Sequence, residues 1–142
     1  MRPGRAGMTL LMLALGACTS STDQGPPPVV LTGTWGYAGT QTVPSAQLAG
    51  TLVVSSQAGH TFTGSFAATE SGPGIPTNSL SGTVQGRALD SVGLDFNVVV
   101  NGVARRHVGL VHGDSLTGNW AVENDPAASA AGTFRMRRLS SP

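Results

Sequence analysis

Leu31-Thr32-Gly33-Thr34-Trp35 is an apolar, small polar, glycine, small polar, apolar unit, and the pattern returns along most of the 142-residue chain. It recurs as Leu48-Ala49-Gly50-Thr51-Leu52, Phe62-Thr63-Gly64-Ser65-Phe66, Leu80-Ser81-Gly82-Thr83-Val84, Leu116-Thr117-Gly118-Asn119-Trp120 and Ala130-Ala131-Gly132-Thr133-Phe134. Alternation of period two puts the apolar ends and the central glycine on one face, with Thr, Ser or Asn on the other. Each copy reads as a half-buried strand. Glycine inside a strand is destabilising, so its repetition on the apolar face predicts a sheet that bends sharply or crowds itself, as a small closed barrel does.

Outward from these units the chain divides into eight strand-like runs: Val29–Tyr37, Leu48–Ser56, Thr61–Thr69, Ser79–Ala88, Ser91–Val100, Val103–Val111, Ser115–Glu123 and Ala128–Arg138. Turn chemistry separates them at Gln57-Ala58-Gly59-His60, Leu89-Asp90-Ser91, Asn101-Gly102, His112-Gly113-Asp114 and Asn124-Asp125-Pro126. Ala38–Gln47 and Glu70–Asn78 carry Gly and Pro and are expected to be loops. No stretch has helical periodicity. The expected fold is all-β, an eight-stranded antiparallel up-and-down barrel, since eight strands close around side chains or one small ligand.

The register follows from Asn101-Gly102, which favours a two-residue type I′ turn. Val100 then faces Val103, Val98 faces Arg105, Phe96 faces His107 and Leu94 faces Gly109. Val92, Leu94, Phe96, Val98 and Val100 form the expected core face, which turns Arg105 and His107 inward as well. Placing Val111 opposite Leu116 continues this parity. A bulge at the turn would instead send Arg106 inward and Arg105 out. A transmembrane barrel shows the same alternation with its apolar face towards lipid, but needs longer strands and aromatic girdles, and the chain has only seven aromatic residues.

Charged residues make up 11% of the chain, Lys is absent, and all eight basic residues are Arg. Without Arg2 and Arg5 near the start, six Arg face seven Asp and Glu. No basic field marks a nucleic-acid partner. Cys18 is the sole cysteine, so an internal disulfide or cysteine-rich metal site is excluded.

Met1 to Gly7 carries two Arg, Met8 to Leu15 is apolar, and Gly16-Ala17 precedes Cys18. This is the layout of a secretory signal, too short to span a bilayer. The segment resembles a bacterial lipoprotein precursor with the lipobox Leu15-Gly16-Ala17-Cys18. The resemblance implies cleavage before Cys18 and a thioether-linked diacylglycerol on its sulfur. It also implies anchoring to the membrane of the cell envelope; Thr19 in place of Asp favours the periplasmic face of the outer membrane in a host that has one. Residues 1–17 are then signal peptide, 18–28 the lipidated cysteine and a polar, Pro-rich tether, and 29–142 the barrel domain. Such a tether spans up to about 30 Å.

Gly33-Thr34-Trp35 in the first strand, a meander, and an Arg-bearing last strand resemble the calycin superfamily of lipocalins, fatty-acid-binding proteins and avidins. The resemblance implies that the Trp35 indole closes one barrel end under an Arg from near the last strand, with Arg135, Arg137 and Arg138 as candidates. The Leu-Thr-Gly and Phe-Thr-Gly strands look more like avidins. Gly36-Tyr37 and Phe66 stand where avidins carry polar ligand contacts, and the chain has two Trp, so biotin binding is not carried over.

Arg105 and His107 are the sharpest candidates for a ligand site, because an inward cation beside an imidazole suits a carboxylate or phosphate head group while apolar walls take a hydrocarbon part. Trp35, Tyr37, Phe96 and Trp120 are the remaining candidate contacts, and Tyr37 is a polar handle expected near the mouth. His60 and His112 fall in turns, and no metal site, catalytic residue or cofactor is expected. The expected function is binding or carriage of a small apolar or amphipathic ligand in the barrel; the alternative is a packed structural barrel contacting envelope proteins or polymers. Carriage predicts an interior void near Arg105 and His107. The structural reading predicts that Trp35, Trp120, Phe62, Phe66, Phe96 and Phe134 fill it.

Overall fold

A computed structural model of the chain describes residues 28–124 and 130–141. Cys18, the signal segment, residues 19–27 of the tether and the start of the last expected strand lie outside the described residues. The strands are β1 (Gly33–Gln41), β2 (Ala46–Ala58), β3 (Thr61–Gly72), β4 (Ile75–Ala88), β5 (Gly93–Val100), β6 (Val103–His112), β7 (Ser115–Val122) and β8 (Ala131–Ser140). Each pairs antiparallel with the next, and β8 returns to β1, so the expected up-and-down barrel is closed.

Asn101 and Gly102 both have positive φ, 51° and 77°, as a type I′ turn requires. The four expected β5–β6 partners all occur, from Val100 opposite Val103 to Leu94 opposite Gly109. Val111 faces Leu116 across β6 and β7. Turn chemistry therefore set the register of two of the eight strand pairs, β5–β6 and β6–β7.

Three expectations are corrected. The first strand begins at Gly33 and not at Val29, because residues 29–32 are held by side chains: Gln57 donates to the Val29 carbonyl (2.9 Å) and accepts from the Leu31 amide (2.8 Å). Neither long loop exists. Ala38 pairs with Ala49 and Gln41 with Ala46, and Gly72 pairs with Ile75 around Pro73-Gly74. Pro76 is tolerated there because β5 pairs only with Gly82–Ala88, leaving the start of β4 bonded on one side. Val92 is not in the core but 43% exposed, since the Asp90 carboxylate accepts from the amides of Val92 (2.7 Å) and Gly93 (2.6 Å) and holds both in a turn.

Apolar side chains and His107 fill the interior, while Thr, Ser, Gln and the arginines other than Arg105 and Arg138 face outward. That is the reverse of a barrel with its apolar face to lipid. Inward glycines stand opposite inward rings across the strand pairs: Tyr37 faces Gly50, Phe66 faces Gly82, Phe96 faces Gly86, Phe134 faces Gly118 and Trp120 faces Gly132. A Cβ at Gly86 would meet Phe96 and one at Gly132 would meet the Trp120 indole, whereas at Gly50, Gly82 and Gly118 it would run into the backbone of the neighbouring strand. At Gly64 and Gly132 a Cβ would overlap the carbonyl oxygens of Val53 and Thr40, so the glycines permit close strand approach and leave no free space. The barrel end where β1 begins and β8 finishes is called the base, and the opposite end the mouth.

Candidate functional site

β6 delivers His107 into the middle of the barrel, 2% exposed, directly between Phe96 on β5 and Trp120 on β7. The Phe96 ring stacks on the imidazole at 4.8 Å between centroids, and Phe134 meets it edge-on at 4.9 Å. Trp120 lies at 6.2 Å and Tyr37, from β1 across the barrel, at 5.9 Å. These rings occupy the space around His107, one of the two residues beside which carriage required a void.

Two hydrogen bonds select one form of the imidazole. Nδ1 is 2.9 Å from the Arg105 carbonyl oxygen, which can only accept, so Nδ1 carries the proton. Nε2 then accepts from the Tyr37 hydroxyl at 3.0 Å. Burial lowers the His107 pKa to about 4; its bond to the Arg105 carbonyl opposes the shift, and the Arg105 charge adds to it. Burial also raises the Tyr37 pKa, with the Arg105 charge acting the other way. The pair is thus neutral imidazole and neutral phenol at physiological pH, structurally satisfied and enclosed by apolar rings.

Arg105 faces Val98 and Val122 and is half-buried towards the mouth. Its Nη1 is buried with no hydrogen-bond partner among the described residues. Arg105 and His107 therefore share the inward face of β6, as the register implied, but only His107 lies within the aromatic cluster. Tyr37 is not near the mouth but inside, 4% exposed, because it alternates with Trp35 on the inward face of β1.

Trp35 is wholly buried near the base and donates from Nε1 to the Leu31 carbonyl at 2.8 Å. The Arg138 guanidinium lies 4.3 Å from its ring centroid, donates to the carbonyls of Thr32 (2.8 Å) and Val30 (2.7 Å), and sits 3.5 Å from Asp114. Of the three arginines that the calycin resemblance offers, Arg138 covers the first-strand Trp, while Arg135 and Arg137 are exposed on the outer wall. Trp120 is anchored by donation from Nε1 to the Thr40 carbonyl at 3.1 Å. Between Trp35, Leu52, Phe62, Leu94, Phe96 and Met136 remains a void of about 10 Å³. That is room for one water at most.

His60 and His112 are exposed, and among the described residues no group of three His, Cys, Asp or Glu could hold a metal ion. Sequence reasoning missed the Tyr37–His107 bond and the Gln57 clamp. Both residues of the buried pair were on inward positions, but which inward residues meet across a barrel depends on its stagger and tilt.

No family model matches the sequence, and no curated protein is similar to it. Among solved structures, the chain is similar to a redesigned β-barrel, mFAP1, bound to DFHBI, with a TM-score of 0.65 and 14% identity over 76% of this chain and 94% of that one. A de novo designed fluorescence-activating β-barrel aligns with a TM-score of 0.58 at 14% identity over 77% of this chain and 94% of that one. At such identities the likeness is one of fold: a closed, all-β barrel.

Proposed function

We propose that the chain is an exported lipoprotein, acylated on Cys18 after removal of residues 1–17 and held at the cell envelope by the tether 18–28. Its barrel acts as a packed, non-enzymatic module that contacts an envelope protein or polymer through its outer wall. The observation that carries this reading is the filled interior: Phe96, Phe134, Tyr37 and Trp120 enclose His107 with no ligand-sized space between them. The signal layout and lipobox of residues 1–18 support the anchoring.

Carriage of a small apolar or amphipathic ligand is the second reading. It is favoured by the unpartnered Nη1 of Arg105 and by the fold likeness to mFAP1, a barrel bound to DFHBI. A ligand would have to displace aromatic side chains to enter.

Native mass spectrometry of the full chain, extracted in detergent from the envelope in which it is produced, tests both readings. The expected result is a mature chain starting at a diacylglycerol-bearing Cys18 with no further stoichiometric small molecule. A copurifying molecule lost on Arg105→Ala would overturn the packed reading in favour of carriage.

A further inference from the structure

Exposed aliphatic side chains are unevenly placed on this barrel. Val30, Leu89, Val92, Leu110 and Leu139 are between 43 and 62% exposed, and all five stand at the base or on the last residues of strands that end there. Leu89 and Val92 form the β4–β5 turn, and the Val92 carbonyl accepts from the amide of Val111, which brings that turn against the end of β6 beside Leu110. Leu139 is the penultimate residue of β8, next to the segment carrying Val30, whose carbonyl accepts from Arg138. Among the described residues the mouth offers only Val43 and Val103, and the middle of the wall Val108.

The base is also where the chain leaves the barrel towards Cys18. Gln57 clamps Val29 there, so the tether starts from the apolar rim itself. The ten residues from Thr19 to Pro28 reach at most about 30 Å, and an acylated Cys18 holds the base at high effective concentration against a bilayer.

Arginine is in excess at this end: Asp90 and Asp114 keep their negative charges, the first on the turn amides and the second against Arg138, whereas Arg87 and Arg137 are exposed and have no carboxylate within salt-bridge distance among the described residues. An aliphatic rim flanked by free guanidinium groups matches the headgroup boundary of an anionic bilayer.

We propose that the base of the barrel is a membrane-docking surface, on which Leu89, Val92, Leu110 and Leu139 enter the interfacial region while Arg87 and Arg137 meet anionic lipid headgroups. This rests on the anchoring reading above. Docking fixes the barrel upright, with the mouth and the β3–β4 hairpin directed away from the bilayer.

The test uses the full chain, matured and reconstituted in vesicles of mixed phosphatidylethanolamine and phosphatidylglycerol. An environment-sensitive fluorophore is placed on Leu89→Cys, Leu110→Cys, Val43→Cys or Val103→Cys, one at a time; all four sites are exposed, and the thioether leaves Cys18 without a free thiol. Expected are blue-shifted emission and protection from aqueous quencher at Leu89 and Leu110 but not at Val43 and Val103. In the Leu110-labelled chain, Arg87→Gln and Arg137→Gln should each weaken docking about five-fold in anionic vesicles. Base and mouth probes quenched alike, in a chain that stays with the vesicles, would overturn the docking proposal alone. An intact mass without diacylglycerol on Cys18 would overturn the anchoring reading and the docking with it.

Discussion

The Tyr37 hydroxyl on β1 and Nε2 of His107 on β6 are 3.0 Å apart inside the barrel, although the two strands are not neighbours in the sheet. This bond ties opposite walls together through the core, and each partner satisfies the other where water has no room. Tyr37→Phe keeps the ring but leaves Nε2 buried without a donor. The expected loss is about 1 to 3 kcal/mol of unfolding free energy, read from urea denaturation at neutral pH.

The same pair makes stability fall in acid. The unfolded imidazole takes a proton near 6.5, the folded one only at about 4, so the unfolded chain binds more protons between those values. Stability is therefore undiminished above pH 6.5, declines as pH falls towards 4, and is lower by about 3 kcal/mol below it. Denaturation curves at a series of pH values should show this slope in the native chain and lose it in His107→Gln.

Arg138 covers Trp35, holds two carbonyls of the entering segment and approaches Asp114. Arg138→Leu should cost about 2 to 4 kcal/mol, through the lost charged hydrogen bonds and the cation–π contact. Its signature is local: red-shifted Trp35 emission and faster amide exchange at Leu31, whereas Arg135→Leu, on the outer wall, should change neither.

Glycines divide by the face they occupy. Gly64→Ala drives a Cβ into the Val53 carbonyl and should lower stability by more than about 3 kcal/mol or prevent folding. Gly36→Ala points outward, meets only the Leu139 side chain at 3.5 Å, and should change stability by less than about 1 kcal/mol. Urea midpoints of the two variants, compared with the native chain, check the contrast.

Opening the core tests how tightly it is packed. Phe96→Ala removes the ring stacked on His107 and should cost about 3 to 5 kcal/mol. The cavity left behind is apolar on most sides, so small aromatic solutes should raise the thermal midpoint of this variant and not that of the native chain.

The recurrent glycine-centred unit determined the strands, and the Asn101-Gly102 turn determined the parity that sends Phe96, Arg105 and His107 inward. Both are local properties: period-two alternation and turn chemistry act over a few residues. The hairpins at Thr42–Ser45 and Pro73-Gly74 were not legible in the same way, because Gly and Pro mark a turn without saying how far the flanking strands stay paired.

The tertiary structure alone decided what the inward residues do. Alternation placed Tyr37 and His107 on the inner face, but their meeting requires the stagger that brings β1 opposite β6. It likewise chose Arg138 over Arg135 and Arg137 as the cover of Trp35, because Arg138 alone of the three is partly buried over the Trp35 ring, while the other two lie exposed on the outer wall. The inner glycines were compatible with an open or a filled barrel in the sequence. The fold resolved it, since the space beside the inner glycines is closed by the backbone of the neighbouring strand at Gly50, Gly64, Gly82 and Gly118 and by Phe96 at Gly86, a relationship that exists only across strand pairs.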